Sequence, residues 1–183
     1  MEDELLLIRR FKNKDLTAFD ILFSRYHKPI YYFIYKMIHN AEAAEDITQD
    51  TFVKVYKGLL RVEDNIKLSP WVYKIAYNAF VDYTRKNKIC LELLDNMNYE
   101  DAGPDNKHES NPEASYLNKE LRDKINRTID RLNTRHKTAL ILRDYNNLSY
   151  KEVALVLELS ETAVKSLIHR ARLEFQKIFK ELE

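Results

Sequence analysis

Only 2 glycines and 4 prolines punctuate the 183 residues. Glycine and proline are the strongest breakers of regular structure, so their scarcity leaves long uninterrupted segments. Within those segments apolar residues recur at spacings of three and four, which is the helical period. No convincing strand pair and no internal repeat is visible. The same scarcity removes a class of function. Phosphate cradles of the Rossmann and P-loop kinds need clustered glycines, whereas Gly58 and Gly103 stand alone.

Other classes fall to composition. Apolar residues make up 45% of the chain and charged residues 32%, enough apolar material for real cores. The single cysteine, Cys90, excludes an internal disulfide and a cysteine-cluster zinc site. His27, His39, His108, His136 and His169 are scattered without ligand spacing, and no nucleophile-and-base arrangement is legible. The expectation is therefore no enzyme, no metal, no cofactor and no small-molecule substrate. No run approaches the roughly 18 apolar residues of a membrane helix. The N-terminus, Met1-Glu2-Asp3-Glu4, is acidic where a secretory leader is basic. These features predict a cytoplasmic protein without a membrane segment.

The formal net charge is +1, but it is unevenly spread. Residues 1–90 carry 15 Lys+Arg against 12 Asp+Glu, net +3; residues 91–116 carry 1 against 7, net −6; residues 117–183 carry 14 against 10, net +4. The acidic stretch holds Gly103, Pro104, Pro112 and four asparagines, and reads as a flexible linker. The fold class predicted is all-α: two small helical domains, 1–90 and 117–183, joined by the acidic linker 91–116.

In the first block, residues 2–12 can form a short helix. Asp15 is a good N-cap for a second, which Pro29 should bend or divide. Asn40 can cap a third, and Ser69-Pro70 signals the start of a fourth. In the last block residues 117–132 read as one helix, with Thr134, Ser149 and Ser160 as caps for three more.

Three faces do not look like core. On a wheel of residues 41–60, Ala44, Ile47, Thr51, Val55 and Leu59 share the buried side, opposite Glu42, Glu45, Asp46, Gln49 and Asp50. Val53 falls within the acidic face with Tyr56 close by, and an apolar patch rimmed by carboxylates can dock a protein. On the helix from Pro70, Lys74, Asn78, Val81 and Arg85 line up opposite Val72, Ile75, Ala76, Ala79 and Tyr83. Tyr77 flanks the stripe, and Lys86 and Lys88 extend its basic end. Cations bind phosphate, asparagine and arginine can pair with base edges, and aromatic rings stack on unpaired bases.

The third face fits a helix-turn-helix over residues 148–172. Val153, Ala154 and Leu157 form the inner side of its first helix, Leu159 plugs the turn and Ser160 caps the second helix. Val164 and Leu167 or Ile168 then pack inward. Outward-facing Glu161, Thr162, Lys165, Ser166 and His169, with Arg170 and Arg172, can then meet a DNA major groove.

Three stretches together resemble the extracytoplasmic-function (ECF) sigma factors of bacterial RNA polymerase, a group of the sigma-70 family. They are Ala44-Glu45-Asp46-Ile47-Thr48-Gln49-Asp50-Thr51-Phe52, then residues 71–86 beginning Trp71-Val72-Tyr73-Lys74-Ile75-Ala76-Tyr77-Asn78, and then the helix-turn-helix ending His169-Arg170-Ala171-Arg172. Their order and spacing cover essentially the whole chain. The resemblance implies a transcription initiation factor with core RNA polymerase, promoter DNA and an anti-sigma factor, often membrane-anchored, as partners.

It implies that Asp46, Gln49, Asp50, Val53 and Tyr56 dock on the clamp helices of the polymerase largest subunit. Arg61, Lys74, Tyr77, Asn78, Asp82, Arg85 and Lys86 would recognise and open the minus-ten-type element. Residues 61–68 would capture a flipped base, and the linker would follow the RNA exit path. Lys151, Ser160, Glu161, Thr162, Lys165, Ser166, His169, Arg170 and Arg172 would read the minus-thirty-five-type element as duplex, and the same domain would bind the polymerase flap.

Five positions depart from the usual pattern. Glu158 stands where glycine commonly makes the turn, Thr162-Ala163 replaces Gly-Thr, Leu167 replaces a frequent arginine and Asn133 replaces a proline. A rival reading is a helix-turn-helix regulator that binds duplex DNA without polymerase. A second is an anti-sigma or adaptor protein, to which charge reversal at Lys165 and Arg170 would be harmless.

Overall fold

The computed structural model describes residues 3–63, 66–91 and 112–182. Every regular element among them is helical, and they divide into two compact units, one centred on the first four helices and the other on the rest.

In the first unit α1 spans Glu4–Lys12, α2 Thr17–Ile38, α3 Ala41–Leu59 and α4 Leu68–Leu91. Asp3 caps α1 by accepting from the Leu5 backbone N–H at 3.3 Å. The N-cap position of α2 is Leu16, which makes no side-chain cap bond, rather than the expected Asp15. Asp15, one residue ahead of it, accepts from the Thr17 N–H at 3.1 Å and from the Thr17 hydroxyl at 2.6 Å, while Arg10 holds its other oxygen at 2.8 Å. These bonds keep the Asp15 carboxyl below its ordinary value of 3.8, the Thr17 hydroxyl contributing most and Arg10 next. The predicted division at Pro29 does not occur, because α2 runs unbroken from Thr17 to Ile38. The turns on either side of it bury Tyr26, Ile30, Phe33 and Ile34. That packing outweighs the roughly 3 kcal/mol that an interior proline costs.

α2 stops at His39, whose φ of 56° is left-handed and whose N–H reaches back to the Tyr35 carbonyl at 2.8 Å. Asn40 then caps α3 as expected, its side chain accepting from Ala43 N–H at 2.8 Å. All five residues expected on the buried side of α3 are buried, and Thr48 and Phe52 join them. The two fully buried threonines need no outside partner: Thr48 donates to the Ala44 carbonyl and Thr51 to the Ile47 carbonyl, both at 2.7 Å.

α4 begins at Leu68, so Ser69 lies inside the first turn rather than capping it. Pro70 is tolerated there because the N–H groups of a first turn have no acceptor within the helix. The ring of Trp71 lies against the backbone of α3 at Gly58, where an added β-carbon would stand 2.8 Å from the indole. α1 is tied to α2 by the buried Tyr26, whose hydroxyl donates to Glu4, with Arg25 3.6 Å from the same carboxylate. Burial first, and the Glu4 hydrogen bond second, push the Tyr26 phenol far above its ordinary range.

In the second unit α5 spans Pro112–Asp130, starting five residues earlier than the sequence predicts. The rest of the expected linker, residues 92–111, lies outside the described residues. α6, Thr134–Leu140, is capped by Asn133, not Thr134: the Asn133 side chain accepts from His136 N–H at 3.0 Å. It continues into a π-helical turn, Ile141–Tyr145, that the sequence does not announce. α7, Tyr150–Leu157, opens with a reciprocal cap. Ser149 N–H donates to the Glu152 carboxylate at 2.9 Å, and Glu152 N–H donates to the Ser149 hydroxyl at 3.3 Å.

Glu158 has a φ of 55°, the left-handed turn conformation that costs a non-glycine residue roughly 1–2 kcal/mol. Ser160 caps α8, Glu161–Glu181, through Ala163 N–H at 3.1 Å. Val164, Leu167, Ile168 and Ala171 are buried, so Leu167 and Ile168 both pack inward. On α7 Val153, Ala154 and Val156 are buried and Leu157 only half so.

Two expectations follow. Gly58→Ala gains up to about 1 kcal/mol of helix propensity, but it forces the rigid Trp71 ring aside at roughly 1–3 kcal/mol. Urea unfolding should show a net loss of about 1 kcal/mol. The stabilising effect of the Asp15 carboxylate is present above its unfolded value near 3.8 and is lost as pH falls through its lower folded value. Asp15→Asn, which keeps a side-chain oxygen for the Thr17 N–H, should flatten the acid limb of stability below about pH 4.

Candidate polymerase and nucleic-acid interfaces

The acidic side of α3 presents Asp46, Gln49, Asp50, Val53 and Tyr56 to solvent, all five as the sequence places them. Val53 is 51% exposed and Tyr56 39%. The structure adds a wall that sequence reasoning missed. Phe19 and Phe23 of α2 face Phe52, Val53 and Tyr56 of α3 across an apolar groove of about 340 Å³, with Gln49 and Lys57 at its edge. The groove is built by edge-to-face aromatic packing. Tyr56 stands 5.0 Å from both Phe11 and Phe19, at 77° and 84°, and Phe23 stands 4.8 Å from Phe52. Leu16, one turn before Phe19, is also exposed. α2 is apolar on more than one side, so Leu16, Phe19 and Phe23 do not stand out by helical spacing alone. A wheel separating 16, 19 and 23 from the buried 18, 22, 26 and 30 would have shown the second stripe.

On α4 the second predicted face is present. Asn78, Val81, Arg85 and Lys86 are exposed, while Lys74, Tyr77 and Asp82 are half-buried. Asp82 accepts from Arg85 at 3.1 Å, which orients the guanidinium along the stripe. Tyr77 lies 6.3 Å from the Phe80 ring. Arg61 is exposed on the turn after α3, held by its N–H to the Gly58 carbonyl at 2.9 Å. Because Gly58 meets Trp71 in the first turn of α4, Arg61 lies near the N-terminal end of that helix. Of the segment 61–68, residues 64 and 65 lie outside the described residues.

The third face is α8 with Lys151 of α7. All nine predicted residues are exposed. Lys165 pairs with Glu161 at 2.8 Å. That hydrogen bond is the leading cause holding Glu161 below the usual carboxylate range and Lys165 above its usual value. Arg170 donates to the Ser166 carbonyl at 3.3 Å. Arg172 is forked on Asp144, which sequence reasoning did not mark. Among the described residues no group of three or more His, Cys, Asp or Glu could hold a metal ion, and no helix is long and apolar enough to cross a membrane.

Residues 22–89 match the family model of sigma-70 region 2, and residues 122–175 match that of sigma-70 region 4. The chain is 30% identical over 167 residues to RNA polymerase sigma factor YlaC of Bacillus subtilis, covering 90% of this chain and 93% of the relative. It is likewise 30% identical to the ECF RNA polymerase sigma factor SigW of the same organism, covering 96% of each. The chain belongs to the ECF sigma factors.

Two solved structures share the fold of this sigma factor. CnrH, in complex with the cytosolic domain of CnrY, aligns with a TM-score of 0.73 at 20% identity, covering 98% of this chain and 99% of that one. The sigma factor RpoE of Bartonella quintana, in complex with the anti-sigma factor NepR, aligns with a TM-score of 0.73 at 21% identity, covering 88% and 96%. The α3 and α4 faces fall within region 2 and the α8 face within region 4, whereas Phe19 lies just ahead of the matched residues. As a sigma factor the chain is a transcription initiation factor: it joins core RNA polymerase and directs it to promoters.

The exposed and structural members of the α3 face are separable. Val53→Ser should change unfolding free energy by less than about 0.5 kcal/mol, as for other surface sites. Tyr56→Ala, which removes two aromatic edges and opens the groove, should cost roughly 1–3 kcal/mol by chemical denaturation.

Proposed function

We propose that the two regions divide the work of promoter recognition. The observation that carries this reading is the position of the uncommitted surface: the exposed residues of α3, α4 and α8 all lie on helices whose opposite sides are buried. Each helix is held rigidly by its own unit while its outer side remains available.

In this reading Asp46, Gln49, Asp50, Val53 and Tyr56 dock on the clamp helices of the polymerase largest subunit. The groove accepts an apolar side chain of the partner, and the carboxylates face basic residues around it. Asn78 and Arg85, flanked by Tyr77, read the minus-ten-type element, with Asp82 fixing Arg85. Arg61, Lys74 and Lys86 attract phosphates. Extruding a base costs a few kcal/mol, which stacking and pocket contacts from residues 61–68 offset. Region 4 inserts α8 into the major groove of the minus-thirty-five-type element. Glu161, Thr162, Lys165, Ser166 and His169 face base edges there; Ser160, Lys151 and Arg170 face the backbone. Region 4 also binds the flap, and the acidic linker follows the RNA exit path.

An anti-sigma factor, membrane-anchored or free, holds the protein inactive by covering these faces, so that it serves a stress response. The two structures that share its fold, each solved with an inhibitory or cytosolic partner domain, support this part of the reading. The protein has no catalysis or cofactor of its own, and it acts in the cytoplasm.

The test is promoter-selective transcription: the purified chain with sigma-free core polymerase on a library of random promoter fragments, followed by sequencing of the transcripts. Selected start sites should share two upstream motifs. Asn78→Ala should relax the downstream motif, losing about 1–3 kcal/mol of discrimination. Lys165→Glu should abolish selection of the upstream one. Selection of no start site, together with no binding to core, would overturn the reading and leave a regulator that binds duplex DNA alone.

A further inference from the structure

Arg172 sits apart from the other cations of α8. It lies eleven residues beyond Glu161, about 16 Å along the helix axis, whereas base edges are contacted from the first turns of a recognition helix. On the helical wheel it lies between Glu161 and Lys165, next to the buried Ile168, and away from the exposed centre formed by Thr162, Ser166 and His169. Its guanidinium is forked on Asp144, with Nη2 at 2.6 Å from Oδ1 and Nε at 3.4 Å from Oδ2. Asp144 belongs to the π-helical turn Ile141–Tyr145. A π turn inserts an extra residue and re-aims the side chains around it. The same turn is braced from its other side. Arg143 donates to the Leu148 carbonyl at 3.1 Å and its guanidinium lies 5.0 Å from the centre of the Tyr150 ring, at the start of α7. The π turn therefore holds both helices of the helix-turn-helix, α7 through Arg143 and α8 through Asp144.

We propose that Arg172 is a strut rather than a DNA contact, and that its bond to Asp144 fixes the angle at which region 4 presents α8 to the promoter. A cation already neutralised by a forked carboxylate releases no counterion from DNA. Asp144 and Arg172 are then positioning residues. The assignment rests on the sigma reading for its effect on promoters, but not for the strut itself.

The experiment uses the full chain as parent, Asp144→Asn, Arg172→Gln and the double variant. Each is reconstituted with core polymerase, and binding to a promoter selected by the parent is measured across a series of KCl concentrations. A strut predicts that each single change weakens promoter binding about three- to five-fold with core affinity unchanged. It predicts that the double variant is no worse than either single, and that the slope of affinity against salt is unaltered. A flattening of that slope by about 1 in Arg172→Gln alone, with Asp144→Asn neutral or tighter, would make Arg172 a phosphate contact and overturn the proposal. So would the absence of any effect.

Hydrogen exchange on the free chain provides a second readout. Both single variants should speed exchange of the amides of residues 141–150 by the same factor, with no further gain in the double. Unchanged exchange refutes the strut even if the parent selects no promoter, an outcome that by itself counts only against the sigma reading.

Discussion

What the first unit presents to a partner on α2 and α3 depends on α3 being complete on one side only. A helix can commit a single side to a core when that side leaves no polar group waiting for a neighbour. Thr48 and Thr51 meet this condition by bonding to carbonyls of their own helix, so they are buried without drawing a polar partner from α2 or α4. Ala44 and Ala76, both fully buried, let helices approach closely. With that side closed, the opposite one can carry carboxylates and an exposed valine without a folding penalty, and α2 can lean its spare phenylalanines against it to form the groove.

Much of this was legible from local rules. Asn40, Ser149 and Ser160 act at the helix starts where their side-chain oxygens predicted them, because a cap is decided by a few neighbouring atoms. The exposed stripes on α3, α4 and α8 were legible for the same reason, since wheel geometry follows once the helix is known. What failed depended on distant atoms. Pro29 looked like a break because a local rule counts its missing N–H and not the packing on either side. Asn133 displaced Thr134 as cap by one position, a difference below what the pattern resolves. The π turn has no sequence signature, and without it Asp144 could not be placed beside Arg172. Phe19 and Phe23 were visible as apolar, but a single apolar period cannot show that one helix serves two surfaces.

Three exposed cations of α4 and α8 share a habit that neither the net charge nor the motifs reveal. Arg85 is held by Asp82, Lys165 by Glu161 and Arg172 by Asp144. Exposed pairs of this kind contribute little to stability, but they restrict where the long side chains point. They also mute the positive field of each face in the free protein, so the chain carries recognition surfaces without the strong basic patch of a protein that coats DNA unaided.

The close approach of Trp71 to Gly58 has a consequence for how such a chain can diverge. A lineage is free to drift across most of the outer surface of α3, since those side chains meet only solvent or a partner that can drift with them. Position 58 has no such freedom. Its neighbour is a rigid indole ring rather than a flexible tip, so even one added methyl carries a cost that lasts until the tryptophan itself becomes smaller. The two positions are coupled, and a change at either alters what the other tolerates in an otherwise permissive helix.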